Sequence, residues 1–179
     1  MKKLTFLLFI PLLCAMTCDD DPCDDNVNYI INYDLVKVEN NQKNYSIGDT
    51  LWLDAVVSRN QILQNSSQSS HDLFIKNETL SYNLNMFKSS NLGTDYQVYI
   101  DSDNLISIKG NAINNYFTLV KEDDTFVNKT GIKLTESGSF RINVNDISSY
   151  GSGGCHLATQ IQTRILNSDA EDYYNFNVQ

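Results

Sequence analysis

The side chains of this chain that could do chemistry are few. They are two histidines, His71 and His156, four cysteines, Cys14, Cys18, Cys23 and Cys155, and two short acidic groups, Asp101-Ser102-Asp103-Asn104 and Glu122-Asp123-Asp124. Neither histidine sits in a His-x-x-x-His frame and no Cys-x-x-Cys pair is present, so the ligand spacing by which zinc is usually held is missing. Cys155 and His156 are adjacent, and neighbours on a strand point to opposite faces, which keeps them from converging as a nucleophile–base pair. No Gly-x-Ser-x-Gly turn and no Gly-rich phosphate loop occurs. The acidic groups offer the hard oxygen ligands that calcium prefers, but Asp101-x-Asp103 lacks the third ligand and the glycine of a calcium loop, and solvated turn carboxylates account for it. No catalytic residue, no metal site and no cofactor is therefore assigned, and an enzyme is not expected.

Cysteine chemistry of a different kind is written at the N-terminus, MKKLTFLLFIPLLCAMTCDDDPCDD. Lys2 and Lys3 precede an apolar run, Leu4 to Leu13, and small or adaptable residues lead to Cys18, the layout of a secretory signal. The run is shorter than the roughly 20 apolar residues that a membrane-spanning helix needs. Ala15-Met16-Thr17-Cys18 resembles the box at which lipoprotein signal peptidase cuts before a cysteine that is then lipidated, and Asp19-Asp20-Asp21 resembles the acidic export signal of surface lipoproteins of Bacteroidetes-type bacteria; the alternatives are the Asp that retains enterobacterial lipoproteins at the inner membrane and an acidic run that only keeps a tether solvated. The resemblance implies a signal peptide over residues 1–17, lipid on Cys18, and an exported protein on the outer membrane, displayed at the cell surface or facing the periplasm. It also implies a membrane contact made through the N-terminal lipid. With Cys18 lipidated, Cys23 and Cys155 remain as a pair, and an exported location permits them to form a disulfide, the alternative being two free thiols. Asp49-Thr50-Leu51 matches a short O-glycosylation pattern of the same class of exported proteins, at the start of a strand.

Charge narrows the partners. Removing Lys2 and Lys3 from the 13 basic residues leaves 11 against 22 acidic ones, a net charge of −11. Nucleic-acid binding depends on Lys and Arg neutralising phosphates, so no nucleic-acid partner is expected.

What must position any site is a set of short strands. Residues 18–27 are a polar, acidic tether with nothing to bury. From residue 28 the apolar residues recur with a period near two. Leu51, Leu53, Ala55 and Val57 share one face, with Trp52 on the other; Leu80, Tyr82, Leu84 and Met86 alternate with Ser81, Asn83 and Asn85, which are expected to face solvent or an edge. Further strands are expected around Tyr33–Val38, Tyr96–Ile100, Leu105–Ile108, Tyr116–Val120, Gly131–Leu134, Phe140–Val144, Leu157–Ile165 and Tyr174–Val178, separated by polar turns. Residues 58–72 and 148–154, rich in Ser, Asn, Gln or Gly, read as loops.

No helix is expected after the signal. The strand count, about nine, predicts an all-β fold, an antiparallel β-sandwich over residues 28–179. Gly138 leading into Phe140, Ile142 and Val144 resembles a late strand of immunoglobulin-like domains, with Phe140 where tyrosine is usual. The function expected of such a chain is non-catalytic binding of a glycan or a protein partner. The alternatives are a structural or accessory subunit of an outer-membrane complex and, third, a hydrolytic enzyme. Ten tyrosines and Trp52 could build a sugar-stacking platform, although Tyr82, Tyr116 and Tyr174 fit core positions equally well.

Overall fold

The computed structural model describes residues 27–33, 35–64, 70–75, 77–90, 93–150 and 157–179. Cys18, Cys23, Cys155 and His156, and with them the signal, the lipidation site and the proposed disulfide, lie outside the described residues. The fold is all-β. Its strands are β1 (Asn28–Ile31), β2 (Val36–Val38), β3 (Asn44–Tyr45), β4 (Thr50–Ser58), β5 (Asn60–Ile62), β6 (Ser70–Asp72), β7 (Thr79–Ser89), β8 (Asp95–Val98), β9 (Leu105–Lys109), β10 (Asn111–Ile113), β11 (Tyr116–Glu122), β12 (Thr125–Lys133), β13 (Gly138–Val144), β14 (Ile147–Tyr150), β15 (Leu157–Gln162) and β16 (Tyr174–Val178). Single 3₁₀ turns at Glu39–Asn41 and Ser102–Asn104 are the helical elements among the described residues.

All the strands but β5 and β6, which pair as a separate two-stranded sheet, form a curled sheet whose main path runs β1-β15-β14-β7-β11-β12-β4-β2. The path turns back on itself: Val36 of β2 bridges Ile165, just past β15, and the Leu166 amide donates to the Val36 carbonyl at 2.7 Å. Most pairs are antiparallel, but β1 runs parallel to β15 and β16 parallel to β3.

β7 organises the molecule. Its first half has β11 on one edge and β14 on the other, so that Ser81 lies between Thr118 and Ser148. Its second half has β8 and β13, so that Met86 lies between Val98 and Ile142. One apolar face runs through both halves. Leu80, Tyr82, Leu84 and Met86 are all buried, as the period-two reading expects, and Leu51, Leu53, Ala55 and Val57 of β4 are likewise buried. Phe140 and Ile142 of β13, and Tyr174, Phe176 and Val178 of β16, close the core beneath the second half. Phe140 and Phe176 stack with ring centroids 5.5 Å apart, and Tyr174 donates to the Gln42 carbonyl at 2.8 Å.

Several elements depart from the sequence reading. Sixteen strands are described where about nine are expected. Residues 60–62 and 70–72 pair as β5 and β6 instead of looping, anchored by Arg59 donating to Asp72 at 2.7 Å. β14 occupies the start of the expected 148–154 loop. β12 begins at Thr125, six residues before the apolar pattern shows it. Ser81 is buried, because β14 crosses its edge and its hydroxyl donates to the Ser148 carbonyl.

Buried polar residues mark the junctions that the pattern hides. Where β11 and β12 diverge, β9 and β10 fill the gap, with a register shift in the β9–β12 ladder. Fully buried Asn128 stitches this split, donating to the carbonyls of Asn111 and Thr118 and accepting from the Thr130 hydroxyl. Asn77 does the same beside β14 and β15, bonding to the Leu73 carbonyl, the Thr159 hydroxyl and the Ser149 hydroxyl. Each side chain meets backbone groups that would otherwise be buried without partners.

Candidate functional site

A fork in the strands makes one of the concavities lined by described residues. β13 and β14 follow one another along the same edge of β7, with a bend between them at Asn145 and Asp146. Beyond that edge β13 is continued by β16 and β14 by β15. The two outer strands therefore diverge, and a groove of about 800 Å³ opens between them.

The floor of the groove comes from Asn83, at the middle of β7, and from Asn143, Asn145, Asp146 and Ser148 at the bend. One wall is formed by Gln160 and Gln162 at the end of β15, with Thr163 and Arg164 just beyond it; the other is the turn before β16, with Glu171 and Asp172; Tyr33 covers one side. The turn is built by Asp169, whose carboxylate accepts from the Glu171 and Tyr173 amides at 2.9 Å and from the Asn175 side chain at 2.7 Å. The Tyr173 amide, with the Asn175 and Glu171 donors, holds the Asp169 carboxyl below the usual aspartate range. Asp172 at the tip has a positive φ of 64°.

Within the groove the charged groups are already engaged. Asp146 accepts from Gln160 at 2.7 Å. Arg164 pairs with Asp172 at 3.0 Å and lies 4.9 Å over the Tyr33 ring. Glu171 is 3.8 Å from Arg141, whose guanidinium pairs with Asp95 at 2.6 Å and stacks on Tyr173. The amides are not all engaged. Asn85 donates to the side-chain oxygens of Asn143 and Asn145, whose Nδ2 groups have no partner among the described residues. Gln160 retains its Oε1, and the side chains of Asn83 and Gln162 have no hydrogen-bond partner among the described residues. Thr163, buried at the rim, has a hydroxyl without a partner among the described residues.

The residues that sequence reasoning singles out lie elsewhere. His71 is on β6, its Nε2 2.9 Å from the Asn28 amide. The carboxylates weighed for calcium serve the fold: Asp101 caps its own 3₁₀ turn through the Asp103 amide, Glu122 pairs with Lys109 at 2.5 Å, and Asp124 pairs with Arg59 at 3.4 Å. Among the described residues no cluster of three or more His, Cys, Asp and Glu side chains could hold a metal ion. Thr50 is half-buried at the start of β4, and Asp49 accepts from the Ser46 amide. Of the tyrosines weighed as a platform, Tyr82 and Tyr174 are core and Tyr116 is exposed on β11. Burial pushes the Tyr174 hydroxyl up to about 12.

The groove escapes sequence reasoning because its parts come from five separate stretches, and Asn and Gln on strands look like ordinary solvent-facing residues. The one usable signal is the clustering Asn143-Val144-Asn145-Asp146 between two strand patterns, which marks a bend. No family model matches the chain, and no curated protein is significantly similar to it.

Proposed function

We propose that this chain is an exported protein, anchored to the outer membrane by lipid on Cys18, whose domain binds a ligand in the fork between β15 and β16 without converting it. The observation that carries the binding reading is the set of amide donors and acceptors, without partners among the described residues, that line one concave surface of the sheet. In favour of binding over catalysis, the carboxylates there are tied to Gln160, Arg164 and Arg141, leaving no facing acid–base pair. The curled sheet is best viewed as a β-sandwich of immunoglobulin-like character, with β7 contributing one half to each layer. That view rests on the buried face running through both halves and on the Gly138–Phe140 strand entry.

Retention of envelope material by the full chain tests the binding role. Material held by the wild type should be lost from the double variant N83A/Q162A; equal retention by both rejects the groove. Metabolic labelling with a clickable fatty acid should mark the wild type and not Cys18→Ser. Label that survives Cys18→Ser and vanishes with Cys14→Ser moves the anchor.

A second reading, an accessory subunit of an envelope complex, draws on a different surface. Ile106 and Ile108 of β9, with the cross-strand pair Ile113 and Tyr116 of β10 and β11, are all exposed. Retention lost from I108K but kept by N83A/Q162A would favour it.

A further inference from the structure

We infer that the ligand class of the fork is a neutral saccharide, an inference that rests on the binding reading of this groove. Its volume, about 800 Å³, falls within the range of small-molecule sites, which run from roughly 300 to 1,000 Å³ and are mostly apolar. This one is not: Val144 and Tyr33 are its apolar contributors, and the rest of the lining is amide, hydroxyl or charge. A ligand that fills it must replace many water hydrogen bonds and bring little hydrocarbon.

The unused groups are of both kinds. Asn143 and Asn145 offer Nδ2 donors, Gln160 offers an Oε1 acceptor, and Asn83 and Gln162 offer whole amides. A side-chain amide holds two donors and an acceptor in one plane, and a sugar hydroxyl is at once donor and acceptor. An array of mixed amides therefore matches vicinal hydroxyls, whereas a carboxylate or phosphate would leave the acceptors facing like charge. Charge argues the same way. Asp146, Glu171 and Asp172 outnumber Arg164, so an anionic ligand is repelled. A cationic ligand would have to compete with Gln160 for Asp146, with Arg164 for Asp172 and with Arg141 for Glu171; the Arg164 ring contact fixes Tyr33 at the rim. Tyr33 stays 40% exposed and lines the groove, leaving aromatic surface on which the apolar side of a sugar ring can pack.

The test is a printed array of neutral, amino, sialylated and sulfated glycans, probed with the full chain in detergent. Titration calorimetry with the strongest array hit comes second. Neutral glycans should be bound, and Asn83→Ala and Gln162→Ala should each weaken the best of them at least tenfold with the melting temperature unchanged. Preference for sulfated, sialylated or amino sugars overturns the inference, as does an affinity indifferent to both substitutions, or an array without binding. If N83A/Q162A loses envelope material while no neutral glycan binds, the groove remains a binding site and the saccharide class falls. If neither is bound, the binding reading falls with it.

Discussion

Gly131 shows how a single side chain can be set by a neighbour that has none. It lies on β12 opposite Trp52 of β4 and Ile106 of β9, and a Cβ placed there would come within 2.8 Å of the Trp52 ring and 2.5 Å of Thr50 Cγ2. The indole lies flat across the strand because glycine leaves that space open. Gly131→Ala should tilt it into solvent and cost about 1–3 kcal/mol by overpacking. Because Trp52 is the single tryptophan, a red-shifted fluorescence spectrum with a lowered denaturation midpoint would report both effects. An unshifted spectrum would mean that the strands simply spread. Asp169 gives a residue-scale effect of pH. Its carboxyl is depressed by the Tyr173, Asn175 and Glu171 donors, so the native state holds its proton less tightly than the unfolded chain does. The stabilisation is present above the unfolded value, about 3.9, and drains away as pH falls through the lower folded value. The stability difference between wild type and Asp169→Asn should thus be larger at pH 6 than at pH 2.5, measured by urea denaturation at both. A difference constant with pH would remove the carboxylate from the turn's support.

At the scale of elements, β7 separates the buried core from the groove lining along a single strand. Leu84 is fully buried and its neighbour Asn83 faces the groove. Leu84→Ala should cost about 2–5 kcal/mol through lost burial and a residual cavity. Asn83→Ala should cost about 0.5 kcal/mol or less, as surface changes do. Equal losses by chemical denaturation would contradict this division. Strands with a clean alternation are legible in the sequence for the same reason: one buried face forces period two, as in Leu51 to Val57 and Leu80 to Met86. β12 is legible in its second half alone, because inward positions in its first half include Asn128, a polar residue whose burial is offset by three hydrogen bonds. β5, β6 and β14 are short, polar and held by Arg59–Asp72 and by Asn77, contacts that no local pattern announces. The fork is the least legible element of all, since it is a divergence of strands and its lining residues carry no periodic signal.

At the scale of the molecule, the shared strand and the Val36–Ile165 bridge join the ladders into one network, so that loosening either half of β7 withdraws partners from the other. A Cys23–Cys155 disulfide would add a covalent link between the tether and the segment entering β15. It would close a loop of about 130 residues and, in the chain-entropy model, contribute several kcal/mol. Non-reducing peptide mapping of exported protein should recover the linked pair, and quantitative alkylation of both thiols without reductant would reject it. The parallel pairing of β1 with β15 has a mechanical consequence. Asn28 to Ile31 lie in register beside Thr159 to Gln162, and the groove residues Gln162, Thr163 and Arg164 stand at the far end of β15. When the chain ahead of Asn28 is pulled one way and the end of β15 the other, the load runs along both strands. The ladder is then sheared, its bonds sharing the force, rather than peeled open one bond at a time. A chain held ahead of β1 and pulled at the end of β15 would thus meet the load in shear along this ladder.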